Sequence, residues 1–96
     1  MLVVTLGANG CHYFTEETDN HLPGFQVKTI DTTGAGDGFV AGMLANILRQ
    51  SEIWNDIPAL EKALLFANAV GALTTTKLGA IPALPEEAAV LELSGL

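Results

Sequence analysis

A chain of 96 residues with a net charge of −7 and four Lys and Arg side chains has room for one modest domain and lacks the basic surface that nucleic acid or anionic lipid would require. Hydrophobic residues make up 49% of it against 16% charged, a balance that leaves apolar surface to meet a partner, a missing part of the same protein or another copy of the chain. A single cysteine, Cys11, excludes an internal disulfide; with no signal-peptide pattern and an apolar run at 39–48 too short to cross a bilayer, the expected location is the cytoplasm.

The run "LVVTL" at residues 2–6 is β-branched and continuously apolar, the pattern of a strand buried on both faces. "GANG" interrupts it and "CHYFT" resumes an extended pattern to Thr15, so the two runs form a hairpin. "EETDN" reads as a polar turn, and "HLPGFQVKTI" as an extended segment bent at Pro23-Gly24. His12 and His21 have no metal-ligand spacing with Cys11 or the nearby acids, and read as surface or strand histidines.

From Ala35 to Gln50 the period changes to that of a helix. Phe39, Val40, Met43, Leu44, Ile47 and Leu48 form an apolar face, while Gly38, Gly42 and Ala45 make a smooth strip suited to close packing on a sheet. A second helix opens near Asp56 with Pro58 in its first turn and runs to about Thr76, with Leu60, Leu64, Ala67 and Gly71 along one stripe. "KLGAIPALP" is a loop, and Pro85-Glu86-Glu87 begins a short last helix with acids where the helix dipole favours them. The expected class is α/β, with few strands, two main helices and a short C-terminal helix.

The chemistry concentrates in "IDTTGAGDGFVAGML", residues 30–44. Small residues let the backbone approach a ligand and aim successive N–H groups at one point. At a helix start, the N–H groups without internal partners and the dipole complete a pocket for an anion such as a phosphate. Asp37 at its rim would repel phosphate, but it could take the proton of a hydroxyl attacking that phosphate. From the tetrapeptide Gly34-Ala35-Gly36-Asp37 alone, the plainer reading, that Asp37 caps or charges its own helix, is the favoured one. A Rossmann fingerprint fails because Phe39 stands where its third glycine belongs, and a Walker A loop is absent.

"DTTGAGDGFVAGML" resembles the C-terminal signature of the ribokinase-like (PfkB) sugar kinases at every fixed position of that pattern. "VVTLGANG" resembles the family's nucleotide-holding strand and turn, and "FANAVGALTTTKLGAIPALP" its adenine-closing helix and loop, with the fructokinases most alike. The resemblance implies the C-terminal portion of a three-layer α/β/α fold, spanning 1–96 as one nucleotide-binding unit. It also implies ATP with Mg2+ as phosphoryl donor, a sugar such as fructose as acceptor, and a potassium ion nearby. Asp37 would be the general base, and Gly34, Ala35 and Gly36 the backbone groups around the transferred phosphate. Thr5, Gly7 and Gly10 would follow the nucleotide phosphates and ribose, with Asn68 beside the adenine. Asp31, Thr33, Thr74, Lys77, Gly79 and Ala83 fall where the family holds the monovalent cation.

The family's upstream sugar pocket, β lid and Asn-x-x-Glu motif are not found here. The chain is therefore expected to be a C-terminal piece of such an enzyme, inactive alone and able to associate with the missing part or with itself. Ribose, a nucleoside or a keto-deoxy sugar acid are alternative acceptors, and a non-catalytic nucleotide-binding or assembly role is the remaining alternative.

Overall fold

Leu2–Thr5 forms β1, and a short helical turn at Gly7–Asn9 reverses the chain into β2 (Cys11–Phe14), which leads to β3 (Asp19–Leu22). The computed structural model describes residues 1–30, 32, 34–49, 53–76 and 87–95. The three strands pair antiparallel in the order β1-β2-β3, with Val3 opposite Tyr13, Thr5 opposite Cys11 and Cys11 opposite Leu22. Strand alternation sends Cys11, Tyr13 and Leu22 to the core, where all three are buried.

The opposite face of the sheet differs from expectation. Leu2 and Val4 are exposed, at 57% and 40%, so β1 is not buried on both faces. Phe14 lies exposed beside them, and the His12 ring stacks on it at 4.6 Å. The polar stretch 16–20 is also only partly a turn. Thr15 accepts from Thr18 N–H at 3.1 Å and closes the reversal, and Asp19 and Asn20 already belong to β3. That strand stops before Pro23, which has no N–H to give a ladder.

Helices α1 (Ala35–Arg49), α2 (Ile57–Thr74) and α3 (Glu87–Ser94) follow, close to the expected spans. The Asp56 carboxylate caps α2 by accepting from Ala59 N–H at 3.1 Å, with Pro58 in the first turn. The expected stripe Leu60, Leu64, Ala67 and Gly71 is buried, but so are Ala63, Phe66, Asn68, Ala69 and Val70. A helix apolar on nearly every side sits in the middle of a fold. At 18 residues α2 has the length and composition of a membrane span, but its burial against the sheet, α1 and α3 marks it as the core helix.

One polar linkage ties the sheet to this helix. Tyr13 Oη donates to Glu61 Oε2 at 2.7 Å and Asn20 Nδ2 donates to the same oxygen at 2.9 Å. Burial, with the hydrogen bond and charge of Glu61, pushes the Tyr13 phenol up to about 12. The donors Asn20 and Tyr13 hold Glu61 below the usual carboxylate range.

The small strip of α1 packs on α2 rather than on a sheet. A Cβ at Gly42 would lie 2.9 Å from Ala67 Cα, one at Gly38 2.5 Å from Thr74 Oγ1, and one at Gly71 3.0 Å from the Ala35 carbonyl oxygen. Of the apolar face expected on α1, Phe39 and Met43 are buried and Ile47 half-buried. Val40, Leu44 and Leu48 are exposed, the last at 87%.

Candidate functional site

The turn before α1 is built from its glycines. Gly34 has φ of 83°, a left-handed conformation that favours glycine, and its carbonyl accepts from Gly38 N–H at 2.8 Å to open the helix. Ala35 N–H donates back to Thr32 O at 3.2 Å, whereas Gly36 has open space where a Cβ would stand. Ile30 N–H donates to Thr75 O at 2.7 Å, drawing the segment before the turn against the C-terminal end of α2.

A cavity of about 250 Å³ opens at this helix mouth, near the lower end of small-molecule sites at roughly 300 Å³. One wall is the hairpin turn, with Thr5, Gly7 and Gly10; a second is the segment 24–29, with Phe25, Val27 and Thr29. The floor comes from Ala35, Gly36 and Phe39 of α1 and from Asn68, Gly71 and Ala72 of α2.

The hairpin turn and the bend after β3 interlock. A Cβ at Gly10 (φ 88°) would overlap the Leu22 carbonyl oxygen and sit 2.6 Å from Gly24 N, and one at Gly24 would overlap the Ala8 carbonyl oxygen. Behind this wall the Asn68 amide donates to Pro23 O at 3.1 Å. Burial raises the Cys11 thiol above its ordinary value, against the lowering effect of its hydrogen bond to Asn68.

Six of the residues singled out in the sequence, Thr5, Gly7, Gly10, Ala35, Gly36 and Asn68, thus line one cavity although they span more than sixty positions. Gly34 stands just behind the turn. Asp37 follows Gly36 in the first turn of α1, exposed, and makes no side-chain hydrogen bond among the described residues. Neither Gly34 nor Asp37 forms part of the cavity wall.

Thr74 is fully buried and its hydroxyl donates to Val70 O at 2.7 Å. The other cation candidates, Asp31, Thr33, Lys77, Gly79 and Ala83, lie outside the described residues, as does the 77–85 loop. No cluster of three His, Cys, Asp or Glu side chains suited to a metal ion occurs among the described residues. The wall at 24–29 and the threonines Thr32 and Thr75 were not anticipated. The Pro23-Gly24 bend was their only signal, and it located a change of direction without showing what the bend would face.

The pfkB family carbohydrate kinase pattern matches residues 1–87. Fructokinase-2 of Oryza sativa subsp. japonica is 50% identical over 93 residues, which are 97% of this chain and 28% of that protein. The crystal structure of a Xylella fastidiosa fructokinase with bound ATP superposes with a TM-score of 0.88 at 36% identity, over 95% of this chain and 30% of that one. A Vibrio cholerae O395 fructokinase with fructose, ADP and calcium ion bound gives 0.87 at 43% identity, over 95% of this chain and 29% of that one. Ribokinases are among the further structural matches, so the fold is ribokinase-like. The chain spans somewhat under a third of the length of these relatives.

Proposed function

On the premise that the chain belongs to the pfkB family of carbohydrate kinases, we propose that it is the nucleotide-binding part of an enzyme that moves the terminal phosphoryl group of ATP to the 6-hydroxyl of fructose. The observation that carries this reading is convergence. The hairpin turn, the mouth of α1 and the middle of α2 meet in one cavity, with a carboxylate one residue beyond its edge. Fructokinase relatives at 50% identity support fructose as the acceptor.

On this reading the purine and ribose occupy the cavity between the 24–29 wall and α2. The phosphates run toward Gly36, where bare backbone at a helix N-terminus favours negative charge. Asp37 stands in the open beyond the phosphates, free of a capping partner, and takes the proton of the attacking hydroxyl. Loose phosphoryl-transfer transition states ask little of such a base, because positioning and charge stabilisation do most of the catalysis. Mg2+ finds no carboxylate cluster among the described residues and fits as an ion carried on the nucleotide phosphates, whose charge it neutralises.

The test is Asp37→Asn in a complete enzyme containing this segment. Nucleotide affinity is expected to hold while turnover falls by about 10²–10⁴-fold. Turnover within a few-fold of the parent would remove Asp37 from the mechanism. The 96-residue chain by itself is expected to bind ATP, more tightly with potassium, and to phosphorylate no fructose.

A further inference from the structure

Family resemblance sets Asn68 beside the adenine, but its hydrogen bonds in this fold point elsewhere. Asn68 lies in the middle of α2 and is 8% exposed. Its Nδ2 donates to Pro23 O at 3.1 Å, 45 residues earlier in the chain. A side-chain amide has two N–H groups and one oxygen, and the donor that meets Pro23 O is spent on the wall of the cavity rather than on its interior.

Pro23 is where the bond matters. β3 has just ended, and residues 23–29 have no regular secondary structure, so no ladder fixes them. Three contacts do. The Gly10 and Gly24 backbones interlock, Phe25 packs against the cluster of Phe66, Ala69, Val70 and Val90, and Asn68 holds the Pro23 carbonyl. The first two are steric and apolar contacts without a hydrogen bond, and the far end of the segment is held by Ile30 N–H donating to Thr75 O at 2.7 Å. The third is directional and joins the wall to the rigid core helix, and it is the buried amide of Asn68 whose donor is costly to leave unmade.

We propose that Asn68 is a positioning residue: through the Pro23 carbonyl it sets where segment 24–29 stands and hence the width of the nucleotide cavity, while the base is selected without a hydrogen bond from its amide. This rests on the reading that the cavity takes a nucleotide, and the experiment separates the two.

Asn68→Ala and Asn68→Asp are made in the 96-residue chain, and amide exchange without ligand is measured beside the affinities for ATP and GTP. Asn68→Ala should raise exchange in residues 24–29 at least tenfold relative to the far turns of α2 and weaken ATP and GTP by the same factor. In Asn68→Asp the ionised carboxylate faces the Pro23 oxygen with no donor, so the segment should loosen likewise. Lowering the pH protonates the introduced carboxyl, restores an O–H donor and should recover parental exchange measured at the same pH. A residue that only adds to global stability would not give that local, pH-dependent rescue.

Unchanged exchange at 24–29 overturns the proposal, whether or not binding changes. So does a selective loss of ATP over GTP, which would mean that the amide reads the base. If the parent chain binds no nucleotide, the exchange result still decides the role of Asn68 and the nucleotide reading alone fails. Should Asn68→Ala not fold, the acid variant compared across pH gives the same decision.

Discussion

Gly10→Ala and Gly7→Ala make the same chemical change three residues apart in one turn, and the structure expects very different costs. Both positions have positive φ, 59° at Gly7 and 88° at Gly10. At Gly7 nothing lies within 4 Å of a new Cβ. The cost there is the left-handed conformation alone, about 1–2 kcal/mol, less roughly 0.4–1 kcal/mol recovered from the stiffer unfolded chain. A net loss near ~1 kcal/mol follows. At Gly10, with ψ of −134°, the backbone is outside the left-handed helical well, a strain of about 1–3 kcal/mol. The new carbon also overlaps the Leu22 carbonyl oxygen and lies 2.6 Å from Gly24 N and Pro23 C. Those are main-chain atoms that cannot rotate aside, and forced repacking adds about 1–3 kcal/mol. The two sum to about 2–6 kcal/mol; with the same recovery of roughly 0.4–1 kcal/mol taken off, the central value is about 3 kcal/mol, against the ~5–15 kcal/mol that holds a small domain together. Urea melts read the contrast directly. With a slope of about 1.5 kcal/mol/M, Gly7→Ala should lower the midpoint by about 0.7 M and Gly10→Ala by about 2 M. Equal midpoint shifts would refute the interlock of the turn with the bend, and with it the wall of the cavity.

Three further outcomes can be checked. Tyr13 is the chain's single tyrosine, so tyrosinate absorbance reports it alone. Its folded value near 12 against an ordinary 10 means stability present below pH 10 and lost as pH rises from 10 to 12; Tyr13→Phe should remove that loss, and Glu61→Gln should move the titration down toward 10. Gly42→Ala should cost about 1–2 kcal/mol by thermal melting, since overpacking against Ala67 outweighs the gain of about 1 kcal/mol in helix propensity. Leu44→Lys with Leu48→Lys should reduce self-association in sedimentation while changing stability by less than about 0.5 kcal/mol per site, because both side chains are exposed.

Local chemistry was legible in the sequence; what lies on either side of an element was not. The α1 and α2 spans followed from period and from Asp56 and Pro58, which act within a single turn. The hairpin followed from "GANG". The burial of β1 was misread because a continuous apolar run shows that both faces can be buried, not that a neighbour exists to bury them, and Leu2 and Val4 stay exposed. The glycines of α1 were rightly read as a close-packing strip, but their partner is a helix. Period alone does not name the surface opposite. In the site, the motif residues assembled as a group, whereas residues 24–29 entered through backbone contacts at Gly10 and Gly24 and the amide of Asn68, none of which has a sequence pattern.

The geometry of α1 joins the exposed stripe to the proposed chemistry. Residues seven and eleven apart on a helix return to within about 20° of the same direction, so Asp37, Leu44 and Leu48 share a face, with Val40 beside it. Gly38 and Gly42 point instead toward α2 and seat the helix. The proposed base therefore looks out on the side that this chain leaves uncovered, away from its own core. A hydroxyl reaching that carboxylate must arrive from whatever covers Val40, Leu44 and Leu48. If the chain folded a sugar pocket of its own, the acid would face inward and the apolar stripe would be part of its lining. Both instead face outward together, so on the proposed reading the acceptor hydroxyl would be presented across that face.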